Sequence, residues 1–297
     1  RVAANAEIVM YETTNQLSGI GAISAVLQRL NSRTIVYHHG HSLNQVRKSR
    51  SNTIPRSSPA LYLLFSGLNK KWAESLGYSN QKVIGFPKLY PEWQQMISSY
   101  VDENAGRLHR TYKEKFVLIY SRAVSESFMD PDKFKALYVE SYSAAREIFG
   151  DRLIVVKPHP REESKVIEQL MIDHEMKNMV LSTEHAAVLA SNAIVAISFW
   201  TSCVFDSLGA GTPTVEFYKE ASRFRDAEPT GSLHRQVGIA SVSSREELCV
   251  FLSQVKVGEA FCPPVVEEWR NMSNSNSINS IIEGRLSRKN GINNLRN

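Results

Sequence analysis

The sequence is poor in cysteine and contains no long apolar run. Its three cysteines, Cys203, Cys249 and Cys262, lack the spacing of a metal site, and such usage favours a reducing compartment without structural zinc. No apolar run reaches the ~18 residues that a bilayer-spanning helix needs. No basic-then-apolar signal segment stands at the start. These absences predict a cytoplasmic protein without a transmembrane helix.

The composition is that of an ordinary globular chain. Hydrophobic residues make up 42% and charged residues 22% of the 297 residues. At ~100 to 200 residues per domain, this length predicts two domains. The chain begins with Arg1 rather than Met, so we expect it to be an internal part of a longer chain.

Positive charge is modest overall and concentrated locally. The formal net charge is +5, with basic, Ser/Asn-rich stretches at 45–58 and 284–297. Such stretches are usually solvated loops or tails, and the alternative is contact with a phosphorylated substrate, an acidic glycan or the inner face of a membrane. The basic residues are not interleaved with stacking aromatics, so nucleic acid is not a predicted partner.

Short apolar strands alternate with helical patterns, which indicates βαβ units on parallel sheets. The pattern predicts two α/β domains, 1–113 and 114–272, followed by a polar tail at 273–297. The first domain is about one βα unit shorter than a full Rossmann domain. Strands are predicted at 7–11, 33–38, 61–65, 82–86, 116–121, 152–157, 178–182, 193–198 and 213–218. Helices are predicted near 18–30, 68–76, 131–149, 162–173 and 202–209, with a polar helical stretch at 91–113.

Consecutive α/β domains bind ligands at the carboxyl ends of their strands, in the crevice between the domains. The segments that follow the predicted strands are rich in hydroxyl groups, glycine, histidine and cations. Ser121 and Arg122 follow the first predicted strand of the second domain. We therefore expect these two residues to bind a nucleotide-linked ligand.

The segment KPHPRE ends another predicted strand in Lys157, His159, Pro160 and Arg161. Prolines on both sides fix the backbone of His159 at low entropic cost. An imidazole between two cations could bind a leaving phosphate and neutralise its developing charge. The alternative is a strand that leaves the core into a charged surface loop.

The segment SFWTSCVFD follows the strand at 193–198. Ser198, Thr201 and Ser202 precede a short helical pattern, so Thr201 or Ser202 is predicted as its N-cap. Backbone N–H groups and hydroxyls at a helix start can bind an anion. The alternative is a capped helix without a ligand.

These motifs resemble the donor half of GT-B transferases of bacterial surface polysaccharides. A His-Pro motif followed by a Ser/Thr-Ser pair is shared by bacterial sialyltransferases and polysialyltransferases, which use CMP-sugars. The pattern is also similar to teichoic acid glycerophosphotransferases, matched here by Thr201, Ser202, Phe205 and Asp206. Phe199 stands where that family has an Asp. The resemblance implies a GT-B-like fold, with two Rossmann-like domains whose parallel sheets face each other across a cleft.

The N-terminal half carries a second resemblance. TIVYHHGHSL is similar to the strand and His-Gly of the glycerophosphotransferases, in which the histidine is the catalytic base, and the matching residue is His39. A similarity to the end of their first domain is found in the segment FSGLNKKWAESLGYSNQKVIGFPK. The CMP-sugar families carry an acidic base motif that is missing here, and Glu12 is the nearest substitute. The resemblance spans most of 33–218.

The resemblance implies a glycosyltransferase that moves a sugar from a CMP- or UDP-sugar to a capsule, lipopolysaccharide or other surface glycan or glycolipid. The predicted base is His39 or Glu12, and His159, Thr201 and Ser202 would stabilise the departing phosphate. Nothing in the sequence reads as the Asp-x-Asp metal site of the other large transferase class, so we expect neither a metal nor a cofactor beyond the nucleotide-sugar co-substrate. The open alternatives are transfer of an alditol phosphate from a CDP-alditol, a nucleotide-sugar 2-epimerase, and a non-catalytic nucleotide- or sugar-binding module.

Overall fold

The structure of the chain is a computed structural model that describes residues 8–13, 33–38, 61–65, 67, 70, 74, 80–124, 129–219, 233–236 and 239–259. The described residues form two compact units, one that extends to Pro91 and one that begins at Glu92. None of the helices in these ranges has the length and apolar content that a bilayer crossing requires.

The first unit contains a parallel sheet of four strands. In space they follow the chain order, β1-β2-β3-β4. All four residues of β3 are buried, as expected for a strand that a parallel sheet covers on both faces. The strands are β1 Ile8–Thr13, β2 Arg33–His38, β3 Leu61–Leu64 and β4 Gln81–Val83.

The strand predicted at 82–86 ends early, at Val83. Gly85 has a left-handed backbone with φ of 76°, and a 3-10 helix begins at Pro87, so the extended backbone cannot continue. The helix predicted near 18–30 lies outside the described residues, as does most of the helix predicted near 68–76.

The second unit contains a parallel sheet of six strands in the order β10-β9-β8-β5-β6-β7. The chain starts in the middle at β5, continues to one edge, and returns to β8 on the other side of β5. This is the strand order of the Rossmann fold. The predicted α/β class with parallel sheets is therefore confirmed. The strands are β5 Phe116–Tyr120, β6 Ile154–Lys157, β7 Met179–Leu181, β8 Ala193–Ser198, β9 Thr214–Phe217 and β10 Ala240–Val242.

Helices connect these strands, and three of them, at 186–191, 233–236 and 245–256, were not predicted. The helices are α1 Pro91–Glu103, α2 Ala105–Tyr112, α3 Pro131–Phe149, α4 Ser164–Asp173, α5 Ala186–Ser191, α6 Val204–Gly209, α7 Leu233–Gln236 and α8 Arg245–Lys256. The first five residues of α5 are buried, so it lacks the polar face by which a helix is recognised in a sequence. Helix α8 starts at a capping box of Ser244 and Glu247, beyond the last element that the sequence predicted.

The helices α1 and α2 belong to the second unit, whereas the sequence placed the boundary at about residue 114. The division lies between Pro91 and Glu92 because both helices bury apolar side chains in the core of the second sheet. Ile97, Leu108 and Tyr112 pack in one cluster with Phe116 and Leu118 of β5. The predicted tail at 273–297 lies outside the described residues.

Candidate functional site

The carboxyl ends of β6, β5 and β8 lie side by side in the second unit. Tyr120 of β5 pairs with Lys157 of β6 on one side and with Ser198 of β8 on the other, so the three strands end level with one another. From β5 the chain continues to β6 and β7 on one side, and it then returns to β8 on the other side of β5. Ligands of open α/β sheets bind at such a switch point. The strand order therefore brings together the predicted residues that follow these three strands.

The residues after β6 form a tight turn around His159. The N–H of Arg161 donates to His159 Nδ1 at 3.1 Å, and the N–H of Glu162 donates to the His159 carbonyl oxygen at 2.8 Å. Because Nδ1 accepts this hydrogen bond, a neutral imidazole carries its proton on Nε2. His159 is half-buried, whereas Pro160 and Arg161 are exposed. The turn thus presents a polarised imidazole next to an exposed guanidinium.

Glu162 joins this turn to the end of β5. Its carboxylate accepts the Ser121 hydroxyl at 2.5 Å and the backbone N–H of His159. The Tyr138 hydroxyl, from α3, donates to Ser121 Oγ at 2.6 Å. Burial raises the pKa of Glu162, while the hydrogen bonds from Ser121 and His159 act in the opposite direction. Glu162 was not among the site residues predicted from the sequence, although a carboxylate three residues after a backbone N–H is a recognisable turn pattern.

Lys157, the last residue of β6, supports the neighbouring strand end. Its Nζ donates to the carbonyl oxygen of Thr183, which follows β7, at 3.1 Å. The N–H of Ser121 donates to the Lys157 carbonyl oxygen at 3.1 Å. Lys157 therefore places a positive charge between the ends of β6 and β7.

Arg122 is held against Trp200, which follows β8. Its Nη1 donates to the Trp200 carbonyl oxygen at 2.7 Å, and its guanidinium carbon lies 4.0 Å from the centroid of the indole. The pKa of Arg122 is lowered to about 10, chiefly by burial; Tyr218 and Glu216 act to raise it, and the positive charge of Arg161 acts to lower it. Arg122 stays charged at neutral pH. Two guanidinium groups near one strand end suit an anionic ligand.

Trp200 has an unusual backbone for a bulky residue. Its φ is 58°, in the left-handed region that a tryptophan rarely adopts. Its ring stacks on Tyr218 at a centroid distance of 5.2 Å and an interplanar angle of 22°. The indole thus lies between Tyr218 and the Arg122 guanidinium. Trp200 was not predicted as a site residue, and its only signal in the sequence is an aromatic side chain shortly after a strand at the switch point.

The sequence predicted Thr201 or Ser202 as the N-cap of α6, but neither holds that position: the N-cap is Cys203, and no side chain forms a capping hydrogen bond there. Thr201 is buried, and its Oγ1 accepts the N–H of Cys203 at 3.3 Å, while Ser198 Oγ accepts the N–H of Thr201 at 3.3 Å. Helix α6 has only six residues, so its dipole adds little to anion binding. Ser202 is half-buried, and its hydroxyl forms no hydrogen bond within the described ranges. Ser202 is therefore the hydroxyl of this segment that can donate to a ligand.

Phe199 occupies the position at which the glycerophosphotransferases have an Asp. It is fully buried, and its ring meets that of Tyr138 edge to face at a centroid distance of 5.1 Å. Its N–H donates to the carbonyl oxygen of Tyr120 at 2.9 Å. This position belongs to the apolar core, where a carboxylate would be costly to bury.

The two predicted bases belong to the first unit. The backbone of Glu12 lies in β1, where Glu12 pairs with Tyr37 and Thr13 pairs with His38 of β2. His39 follows β2 directly and lies outside the described residues. Both assignments remain predictions. Across the described part of the chain, no group of three histidine, cysteine, aspartate or glutamate residues could hold a metal ion.

Solved structures with the same fold carry different activities in their names. No protein-family model and no curated protein sequence matches the chain. A variant of the wall teichoic acid polymerase TagF superimposes with a TM-score of 0.56 and 13% identity, over 99% of this chain and 75% of that one. The UDP-GlcNAc 2-epimerase of Methanocaldococcus jannaschii gives a TM-score of 0.61 and 15% identity, over 93% and 77%. The same epimerase in complex with UDP-GlcNAc and UDP gives 0.55 and 14%, over 84% and 68%.

The chain has a GT-B-like fold. The similarity to both neighbours rests on the α/β architecture with two parallel sheets, because the sequence identities are low. The GT-B-like fold that the motifs implied is therefore confirmed.

Proposed function

We propose that this chain is a transferase that takes an activated group from a nucleotide-linked donor and moves it to a surface-glycan acceptor. The observation that carries the proposal is the row of level strand ends in the second unit. There Arg122, the His159 turn and Ser202 supply a guanidinium, an imidazole N–H and a hydroxyl at one switch point. Groups of these three kinds together suit the phosphate of a nucleotide.

The first candidate reaction is glycosyl transfer from a CMP- or UDP-sugar. The acceptor hydroxyl attacks the anomeric carbon, the bond from that carbon to the phosphate oxygen breaks, and the nucleotide leaves with the bonding electrons. His39 or Glu12 takes the proton of the acceptor hydroxyl. His159 Nε2–H and Arg122 stabilise the negative charge on the departing phosphate. In this proposal side chains supply all the positive charge, and the only co-substrate is the nucleotide sugar.

The proposed acceptor is a glycan or glycolipid of a capsule, lipopolysaccharide or related surface polymer. The motifs that resemble surface-polysaccharide transferases support this choice, as does the structural similarity to a wall teichoic acid polymerase. The proposed location is the cytoplasm, with peripheral contact at the inner face of the membrane.

The second candidate is transfer of glycerol or ribitol phosphate from a CDP-alditol. The similarity to TagF favours it, together with the matching residues Thr201, Ser202, Phe205 and Asp206. The buried Phe199 counts against it, because that family has an acid at this position. In this reaction the acceptor hydroxyl attacks phosphorus, and CMP leaves.

A donor panel tests the proposal and separates the candidates. Thermal shift with CMP, CDP, UDP and GDP identifies the nucleotide, since a ligand at ~100 times its dissociation constant stabilises by ~2.7 kcal/mol. Release of free nucleotide from CMP-sugars, UDP-sugars and CDP-glycerol then identifies the donor. We expect one donor class to turn over and the His159→Ala variant to lose that turnover. Protection against heat without turnover of any donor indicates a binding module, and the absence of both effects refutes the proposal.

A further inference from the structure

The Glu162 side chain connects two strand ends that carry separate parts of the site. One carboxylate oxygen accepts the Ser121 hydroxyl after β5, and the other accepts the backbone N–H of His159 after β6. Ser121 is itself fixed from the far side by the Tyr138 hydroxyl. A chain of hydrogen bonds therefore runs from α3 through the end of β5 to the backbone of His159.

A carboxylate so close to a phosphate site calls for an explanation, because it would repel the ligand. Both oxygens of Glu162 are engaged by hydrogen-bond donors of the protein, and the side chain is partly buried. These bonds direct its negative charge into the turn. The same turn brings the N–H of Arg161 to His159 Nδ1 and thereby sets the tautomer of the imidazole.

We infer that Glu162 is the positioning residue of His159: its carboxylate fixes the turn after β6 on the end of β5 and thereby keeps the neutral imidazole protonated on Nε2. The consequence for ligand binding rests on the proposed function, which assigns that Nε2–H to a phosphate of the ligand. The positioning itself is a property of the free protein and can be measured without a ligand.

The experiment compares four full-length proteins: the wild type, Glu162→Ala, Glu162→Gln and Glu163→Ala. Glutamine keeps the length of the side chain, an oxygen for the His159 N–H, and an amide that can donate to Ser121 Oγ. Glu163 is the matched control, because this neighbouring carboxylate is exposed and its side chain forms no hydrogen bond among the described residues. Melting temperatures are recorded first, and all measurements are made well below the lowest of them.

The first readout is the tautomer of His159 in the free protein. Long-range ¹H–¹⁵N correlation spectra are recorded at a pH well above the ordinary imidazole pKa of ~6.5, and the His159→Ala spectrum assigns the signal. We expect the Nε2–H tautomer in the wild type, in Glu162→Gln and in Glu163→Ala, and a mixture of tautomers in Glu162→Ala. The second readout is the affinity for CDP, UDP and CMP. For the nucleotide that binds the wild type, we expect Glu162→Ala to lower the affinity by about 10-fold, which corresponds to about 1.4 kcal/mol.

The possible results separate this inference from the proposed function. If Glu162→Ala lowers the melting temperature while tautomer and nucleotide affinity stay as in the wild type, Glu162 is only structural and the inference is wrong. If Glu163→Ala changes the tautomer as much as Glu162→Ala does, the inference is also wrong. If the wild type binds none of the three nucleotides, the proposed function fails, and the tautomer comparison still decides the role of Glu162.

Discussion

Removal of the His159 side chain tests the proposed phosphate site most directly. A charge-assisted hydrogen bond contributes about 1.5 to 3 kcal/mol, so His159→Ala should weaken nucleotide binding by about 10-fold to 150-fold. The imidazole is half-buried, and its Nδ1 accepts the N–H of Arg161 within its own turn. A half-buried side chain with such local contacts adds little to stability, so the melting temperature should change little.

Ser202 provides a second, independent position for the same test. The strands β6 and β8 flank β5, and two spacings of ~4.8 Å place their ends roughly 10 Å apart. Residues at this separation with no shared partner show additive effects. The effects of His159→Ala and Ser202→Ala on unfolding should therefore add. Their effects on nucleotide affinity should add incompletely, because one bound phosphate group is their shared partner.

Isothermal titration of the nucleotide against the two single variants and the double variant measures this coupling. His109→Ala is the matched control, since His109 is an exposed histidine on α2, the helix that leads to the amino end of β5. Thr201→Ala serves as the contrast to Ser202→Ala, because it removes a buried hydroxyl that accepts the N–H of Cys203 and should cost ~1 kcal/mol of stability. Fully additive losses of affinity, or a His159→Ala protein that binds nucleotide as the wild type does, would refute the proposed phosphate site.

Three further predictions concern other residues. Arg122→Lys keeps the positive charge but loses the planar stack on the indole and the paired N–H donors of the guanidinium. Titration should therefore show about 10-fold weaker nucleotide binding, and unchanged affinity would mean that Arg122 is not part of the site. Since burial raises the pKa of Glu162, the folded state holds its proton more tightly than the unfolded state. The difference in free energy of unfolding between the wild type and Glu162→Gln should therefore fall as pH rises from ~4.5 through the raised pKa. Denaturant titrations measure this difference, and a rise with pH would contradict burial as the cause of the shift. Finally, His39→Ala should lower kcat by ~10² to 10⁴ with nucleotide affinity unchanged, and near-normal turnover would assign the base to Glu12.

The sequence predicted five of the six strands of the second unit, because their apolar runs are short and bounded by clear breakers. It did not predict β10, whose three residues are only half-buried. The run Ile154–Lys157 stops at Pro158, and Gly211 has a left-handed backbone just before β9. The sequence placed the boundary at about residue 114, whereas the two units divide between Pro91 and Glu92. Helix α1 exposes most of its residues and buries only Ile97 fully, so its attachment to the second core depends on a few side chains.

Residues at the correct strand ends were also predicted from the sequence, but the contacts that hold them in place were not. Ser121, Arg122 and His159 were selected because hydroxyl groups and cations at strand ends suit phosphate. The order of strands was assumed, and it is this order that places β5 between β6 and β8. Glu162 was missed because its partner Ser121 lies 41 residues away in sequence. No local pattern reports a hydrogen bond that forms only after two strands have paired.

Trp200 shows most clearly why the remaining part of the site could not be predicted. Its carbonyl oxygen and ring meet Arg122 from 78 residues away, and its φ of 58° is unfavourable for a tryptophan taken alone. Three contacts that depend on the sheet hold this conformation: the hydrogen bond from Arg122, the cation over the indole and the stack on Tyr218. The two contacts with Arg122 need β8 next to β5, and the stack on Tyr218 needs β8 next to β9. The position of the Arg122 charge is therefore a property of the strand order, and the strain in the Trp200 backbone is offset by the contacts that this order creates.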